Sequence, residues 1–420
     1  MLSQEENELL TRVGPGTAMG ELMREYWIPA LRGEALEADG APVRVRLLGE
    51  NFVAFRSSDG RVGFFDEGCP HRCTSLALAR NEDNALTCIF HGWKIDVSGK
   101  VVEVPSEPPE RRSEFAAKVR VRHYPVREAA GIVWVYLGIA QPAPEFFDFE
   151  FNCIESSHCR SYRALLHCSW LQPMEGLLDS SHLGILHNYW LRNPNSNGGN
   201  GSSMPTLNTG PHYDLLPRPY GFREAALRDL PDQTCYVRIR ELIAPFFCLV
   251  PQDAFRPNLM QCAIPVDDEW SFLWYVWYDL NKPLEMERLN YQLGKDPVDL
   301  NNIWAGAGDA ANCWGQDRET MREGHFTGLK TLNYEDFTVA EAQGKIADRT
   351  REYLGYSDST ISFFRRMMLG AIHDHRAGRP VMEQQISYRS LRALTLRVPG
   401  ALDWRQIDPL NPPQSLPLVR

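Results

Sequence analysis

GCPHRC (residues 68–73) and CIFHGW (residues 88–93) put Cys69 and His71 in one short loop and Cys88 and His91 in a second. Together the loops offer two thiolates and two imidazoles, a four-ligand metal site with mixed donors. Zinc ribbons and fingers open instead with two cysteines two to four residues apart. Pro70 stiffens the first loop, and Gly92 stands where the backbone must approach whatever the ligands hold. Two thiolates on one iron and two neutral imidazoles on the other make a 2Fe-2S cluster less negative, so it accepts an electron at a higher potential than an all-cysteine cluster. The feature says one-electron transfer.

With sixteen residues between His71 and Cys88, this pair resembles the cluster-binding loops of Rieske proteins. Cys73 lies outside the motif and reads as a nearby free thiol. Around the loops, PVRVRLLGENFVAFRSSDGRVGFF (residues 42–65) alternates apolar and polar positions and breaks at Gly49-Glu50-Asn51 and at Asp59-Gly60, a hairpin signal. Further strands are expected at Val101–Val104, Val119–Tyr124 and Ile132–Tyr136. The first domain is therefore all-β, preceded by a helix with Ser3 and Glu6 as a capping box, and the proline-rich run Gln141–Glu145 marks its end. Domains are expected at 1–145 and 146–420.

A chain of 420 residues with 43% hydrophobic and 23% charged residues has room for two domains of ordinary globular composition. Ten cysteines in no regular pairing suit a reducing compartment. MLSQEENELLTRV lacks the basic and apolar segments of a secretory signal, and the longest near-apolar stretch, Gly131–Ala140, is about half a membrane span. A cytoplasmic location is expected. The net charge of -10 disfavours nucleic acid and anionic membrane as partners.

Beyond the boundary the pattern changes to a larger α+β domain, with an antiparallel sheet flanked by helices. Residues 161–191 read as a strand then a helix, and 234–280 as strands. NPNSNGGNGSSMP (193–205) is too polar and glycine-rich for a core element; because nothing in it looks chemical, it reads as a disordered insertion, with a mobile lid as the alternative. Helices are expected from Val339 to about Arg351 and from Ile361 to His373. DPLNPPQSLPLVR should be an extended tail, hanging free or packed on a neighbouring subunit.

MEGLLDSSHLGILH (174–187) carries Glu175, Asp179, His182 and His187. On one helix, Glu175, Asp179 and His182 share a stripe, whereas His187 falls about 140° round from His182. Both imidazoles reach one metal only if the helix widens or ends between them. A solvated polar face would explain one Asp or one His, but not four ionisable groups among so many leucines. HExxH is absent, which leaves the two-histidine part of a two-His-one-carboxylate triad, the ligand set of non-haem Fe(II) oxygenases. Asp309, Asp317, Glu323, Glu335, Asp336 and Asp348 all remain open as the third ligand on spacing alone.

A Rieske pair followed by D-x2-H-x4-H resembles the oxygenase component of Rieske non-haem iron oxygenases. ELLTRVGPGTAMGELMREYWIPAL, PSEPPE and WLQPMEGLLDSSH resemble the branch containing phthalate dioxygenase and aromatic O-demethylases, so the likeness covers nearly the whole chain. It implies a 2Fe-2S cluster on Cys69, His71, Cys88 and His91, and a mononuclear Fe(II) on His182, His187 and a carboxylate. YEDFTVAEAQGKIADR maps that carboxylate to Asp336, with Glu335 as its nearest rival. It also implies that Asp179 bridges His182 to the cluster histidine of a neighbouring subunit in a ring, expected to be a trimer. Asp179 and Glu175 are the residues expected to assist the chemistry. No glycine-rich dinucleotide fingerprint is visible, so electrons must come from a separate NAD(P)H-dependent flavin and iron-sulfur reductase.

The reaction implied is O2-dependent hydroxylation or O-demethylation of an aromatic carboxylic acid. A lignin-derived methoxylated biaryl such as 5,5'-dehydrodivanillate fits the length of the chain, and ring cis-dihydroxylation of the phthalate kind is the alternative. A substrate carboxylate calls for an arginine fork. Strand alternation puts Arg238 and Arg240 on one face; Arg223 resembles a substrate-contacting arginine of phthalate-type relatives, and Arg256 is a fourth candidate. Two other classes stay open: a Rieske electron carrier without oxygenase activity, and a zinc-stabilised binding protein.

Overall fold

The computed structural model describes residues 1–193, 203–252, 257–286, 299–381 and 387–417. Most of the expected insertion at 193–205, and Arg256, lie outside the described residues. The chain divides into two compact units, one of Gly14–Gly16 and Gly20–Phe146, the other of Met1–Val13, Thr17–Met19 and Phe147–Arg420.

The smaller unit is built from three antiparallel sheets. Val43–Leu47, Glu50–Arg56 and Val62–Asp66 form one, in the register Val43↔Ala54 and Phe55↔Gly63. Its first turn is tighter than the sequence suggested: Leu48 and Gly49 alone make it, at φ 48° and 78°, and Glu50 already pairs with Leu47. Positive φ at both central residues gives a turn whose twist matches the strands. Arg80–Glu82, Ala85–Thr87, Lys94–Asp96 and Val101–Glu103 form the second sheet, and Trp27–Arg32, Ile132–Tyr136 and Val126–Ala129 the third.

Val119–Tyr124 is not the strand expected. The helix Arg112–Lys118 ends into it, and only His123 bridges, to Phe65. Pro125 has no N–H to continue a ladder, and regular pairing resumes at Val126.

The larger unit carries an eight-stranded antiparallel sheet in the order Cys159–Leu166, Ser271–Tyr278, Asn258–Pro265, Phe247–Val250, Thr234–Ile243, Gly221–Asp229, His212–Arg218. The long strand Thr234–Ile243 pairs through its first half with Leu394–Pro399 and through its last residues with Phe247–Val250. Helices Leu171–Leu178, Leu332–Glu341 and Ser359–Arg376 flank it. The middle one starts earlier than the expected 339–351: Thr331 caps it, accepting from the Tyr334 amide, and Gly344 at φ +91 follows its end. Glycine in the left-handed region is an ordinary helix stop.

The opening helix Gln4–Thr11 has the expected capping box from Ser3 and Glu6. It belongs to the larger unit, however, not with residues 20–146. Asn7 Nδ2 donates to Ala347 O at 3.1 Å, and the Trp170 indole donates to Leu10 O at 3.0 Å. The tail is anchored within its own chain, where Leu416 N donates to Arg397 O at 2.8 Å. Among the described residues no helix is long and apolar enough to cross a membrane, and all ten cysteines are free.

Candidate metal centres

In the smaller unit, Cys69 and Cys88 sit buried in an apolar cluster with Phe65, Leu76, Leu86 and Trp93. Each loop closes on its own cysteine: Cys73 N donates to Cys69 O and Gly92 N donates to Cys88 O, both at 2.9 Å. The half-buried His71 and His91 turn their Nδ1 atoms toward each other, 3.1 Å apart. His71 stacks on Trp93, ring centroids 4.6 Å apart and nearly parallel. Four ligands of one zinc ion would crowd round a single point. Among the described residues, though, only His182, His187 and Asp336 bring three ligand atoms within 4.8 Å of one another. The more widely spread Cys-His set suits a two-iron cluster.

The second centre is built differently from the single helical stripe expected. Helix Leu171–Leu178 stops with Asp179 as its cap, His182 opens a short 3-10 turn, and His187 precedes the helix Asn188–Arg192. The helix therefore ends before both imidazoles. Gly184 allows the chain to pass, since a Cβ there would lie 2.2 Å from Pro205 O. Asp336, on the helix Leu332–Glu341, sets Oδ1 3.0 Å from His187 Nε2 and 3.7 Å from His182 Nε2. Glu335 faces the far side of His187, where Nδ1–H donates to Oε2 at 2.6 Å. Asp179 Oδ2 stands 3.5 Å from His182 Nδ1.

These charges favour a cation. Burial works against a charged His187, yet the Asp336 and Glu335 carboxylates outweigh it and draw its pKa up to about 9. Burial likewise pushes the Asp179 carboxyl up, but hydrogen bonding and charge from His182 hold it down at about 2. Two imidazoles and a carboxylate converging where positive charge is favoured are the donors an Fe(II) site needs.

A cavity of about 530 Å³ opens on these residues, walled by Leu183, Leu186, Tyr275 and Trp277 and by Arg238 and Arg240. Arg240 is committed elsewhere: its Nε lies 2.8 Å from Glu224 Oε2 and its Nη1 donates to Leu177 O. Arg238 Nη2 donates to Pro251 O at 2.9 Å, its buried Nε has no hydrogen-bond partner, and no acid pairs with it among the described residues.

Two expectations are corrected. Arg223 does not reach the cavity. Strand alternation turns it to the face opposite Arg240, where it is buried with its Nε 3.3 Å from Glu241 Oε1, its register partner, while Nη2 donates to Ile407 O. Glu175 borders the cavity but has no oxygen to spare: Arg349 Nη2 and Arg365 Nε approach it at 2.9 and 2.7 Å. Its carboxylate is held as a structural anchor by these two guanidiniums, so the structure does not offer it as the free acid or base that was expected.

Sequence reading missed Tyr213, whose hydroxyl accepts from Ser180 N at 2.8 Å and donates to Asp179 Oδ1 at 3.2 Å. It lies on a distant strand with no motif around it. The role of Glu335 as the partner of His187 was missed too, although its place beside Asp336 was the available signal.

Residues 26–125 match the Rieske 2Fe-2S domain, and residues 135–414 match the domain described as LigXa C-terminal domain like. The chain is 38% identical over 421 residues to the phthalate 4,5-dioxygenase oxygenase subunit of Pseudomonas putida, covering 96% of this chain and 94% of that one. It is 34% identical to the 3-chlorobenzoate-3,4-dioxygenase oxygenase subunit of Comamonas testosteroni, over 96% and 97% of the two chains. With the 5,5'-dehydrodivanillate O-demethylase oxygenase subunit of Sphingobium sp. (strain NBRC 103272 / SYK-6) it shares 32% identity, over 88% and 80%. Among solved structures, Pseudomonas putida CBB5 NdmA with caffeine superposes with a TM-score of 0.58 at 19% identity, covering 88% of this chain and 99% of that one. Dicamba monooxygenase bound to dicamba gives 0.57 at 16%, over 85% and 99%.

Proposed function

Because the chain belongs to the Rieske non-haem iron oxygenases, as an oxygenase component with a 2Fe-2S domain and a mononuclear-iron domain, we propose that it oxidises an aromatic carboxylic acid with O2. Cys69, His71, Cys88 and His91 hold the cluster in this reading, and His182, His187 and Asp336 hold the iron. The cluster delivers single electrons, and the iron, when bound, supplies O2 activation.

The chain's own residues set what reaches the iron. Leu183, Leu186, Tyr275 and Trp277 exclude water and accept an aromatic ring. Arg238 orients the substrate through its carboxylate. That guanidinium, on the wall shared with His182 and Asp336 and with no carboxylate at ion-pair distance among the described residues, is the observation that carries the proposal. The relatives named for phthalate, 3-chlorobenzoate and 5,5'-dehydrodivanillate all act on aromatic acids.

Electrons come from NAD(P)H through a separate flavin and iron-sulfur reductase. Asp179, with a quarter of its side chain exposed, connects His182 to His91 of the partner subunit, in a trimer and in the cytoplasm. The test is turnover of methoxylated and unmethoxylated aromatic acids with NADH and a family reductase. Formaldehyde release with no labelled oxygen in the aromatic product, because the inserted atom leaves with the one-carbon fragment, establishes O-demethylation of lignin-type acids. A product with two labelled hydroxyls and no formaldehyde establishes ring cis-dihydroxylation. Turnover confined to neutral aromatics, with acids untouched, would overturn the assignment of an acid substrate.

A further inference from the structure

We propose that Glu335 is a positioning residue for the metal centre: it fixes the His187 ring from behind without ligating the metal, and Thr327 fixes Glu335 in turn. The inference rests on the ligand assignment above. Consecutive helical residues point about 100° apart, so Glu335 and Asp336 cannot present their carboxylates to one point. They divide a single imidazole between them, Asp336 Oδ1 at 3.0 Å from Nε2 and Glu335 Oε2 at 2.6 Å from Nδ1.

The other oxygen of Glu335 is also taken. Thr327 Oγ1 donates to Oε1 at 2.5 Å, and that hydroxyl oxygen itself accepts from Leu329 N at 3.2 Å. The Leu329 amide thus orients the hydroxyl, the hydroxyl holds the carboxylate, and the carboxylate holds the ring with Nε2 left for a metal. The Glu335 and His187 side chains are 0% and 1% exposed, so water cannot replace either partner. A carboxylate behind a ligating imidazole fixes its tautomer and raises its basicity.

His182 is held more loosely, with Asp179 at 3.5 Å and nearly a quarter of its side chain exposed. The two imidazoles are therefore unequal: His187 is the rigid ligand and His182 the adjustable one.

The experiment strips the mononuclear metal from the assembled protein with a chelator. The protein is then titrated with Co(II), reading the visible Co(II) bands, while the cluster absorption reports that the protein is intact. Glu335→Ala should weaken Co(II) binding by about 10- to 100-fold and shift those bands. Glu335→Gln, whose amide oxygen accepts the same proton, should restore most of the affinity. Thr327→Val should weaken binding less than Glu335→Ala does. Unchanged affinity and spectrum in Glu335→Ala would overturn the positioning role while leaving the ligand set standing. If instead Asp336→Ala binds like wild type and Glu335→Ala does not bind at all, Glu335 is the ligand, and both readings fail.

Discussion

Asp179 Oδ2 lies 3.5 Å from His182 Nδ1, and its other oxygen is held by Ser181 N at 2.6 Å and Tyr213 OH at 3.2 Å. The carboxylate is fixed on one side and faces a ring that offers Nε2 to Asp336 on the other. Asp179→Asn keeps the shape and removes the charge. It should retain both the cluster spectrum and the mononuclear iron yet lose turnover by about 10- to 100-fold, the range for a residue behind a metal ligand. Normal product formation by a variant with full iron content would defeat the bridging role.

Arg238 and Arg223 separate substrate binding from folding. A charge-assisted hydrogen bond contributes about 1.5–3 kcal/mol, so Arg238→Met should raise KM for aromatic acids roughly 10- to 100-fold and spare neutral analogues. Arg223→Met removes the partner of a buried Glu241, which costs about 3–5 kcal/mol. It should lower the Tm without a selective effect on acids. Equal KM effects on acids and neutral compounds in Arg238→Met would remove the carboxylate contact.

Both metal motifs could be read from the sequence because ligation demands particular residue types at short spacing. Asp336 was within reach because it sits in a recognisable stretch. Arg223 and Glu175 misled for a shared reason: a charged residue in an apolar segment signals burial, but burial beside a partner acid or base looks the same in sequence as burial beside a substrate. Only the pairing of Gly221–Asp229 with Thr234–Ile243 shows Arg223 opposite Glu241. The helix through Glu175 and His182 failed because a local pattern of period 3.6 continues past a cap that tertiary contacts impose, here the Tyr213 hydroxyl and Arg228 bonded to Ser180.

Glu175 predicts an acid-dependent loss of stability. Burial alone would raise its carboxyl, but the guanidinium charges of Arg349 and Arg365 outweigh that and lower it. A folded pKa below the unfolded one, about 4.3, gives stability that is present above pH 4.3 and lost as pH falls through the folded value. Glu175→Gln should cost about 3–5 kcal/mol at pH 7. In urea unfolding, the gap between wild type and variant should narrow as pH drops below about 4. A gap that stays constant down to pH 3 would show that the ion pairs do not set it.

Gly92 tests how tightly the second cluster loop is built. It adopts φ +70, and an added Cβ would lie 2.9 Å from Cγ of Pro105, a ring that cannot swing aside. Gly60, at φ +87 in the hairpin turn, has nothing within 4 Å of the same position. Alanine carries the left-handed penalty of about 1–2 kcal/mol at both sites, so that cost cancels in the comparison. Only Gly92→Ala adds a clash, and it adds it beside His91, in the loop closed by Gly92 N on Cys88 O. Cluster content, read from visible absorption per protein, should fall in Gly92→Ala and stay near wild type in Gly60→Ala. Equal cluster content in the two variants would mean that the loop yields to the added methyl and that Gly92 is there for its backbone conformation alone.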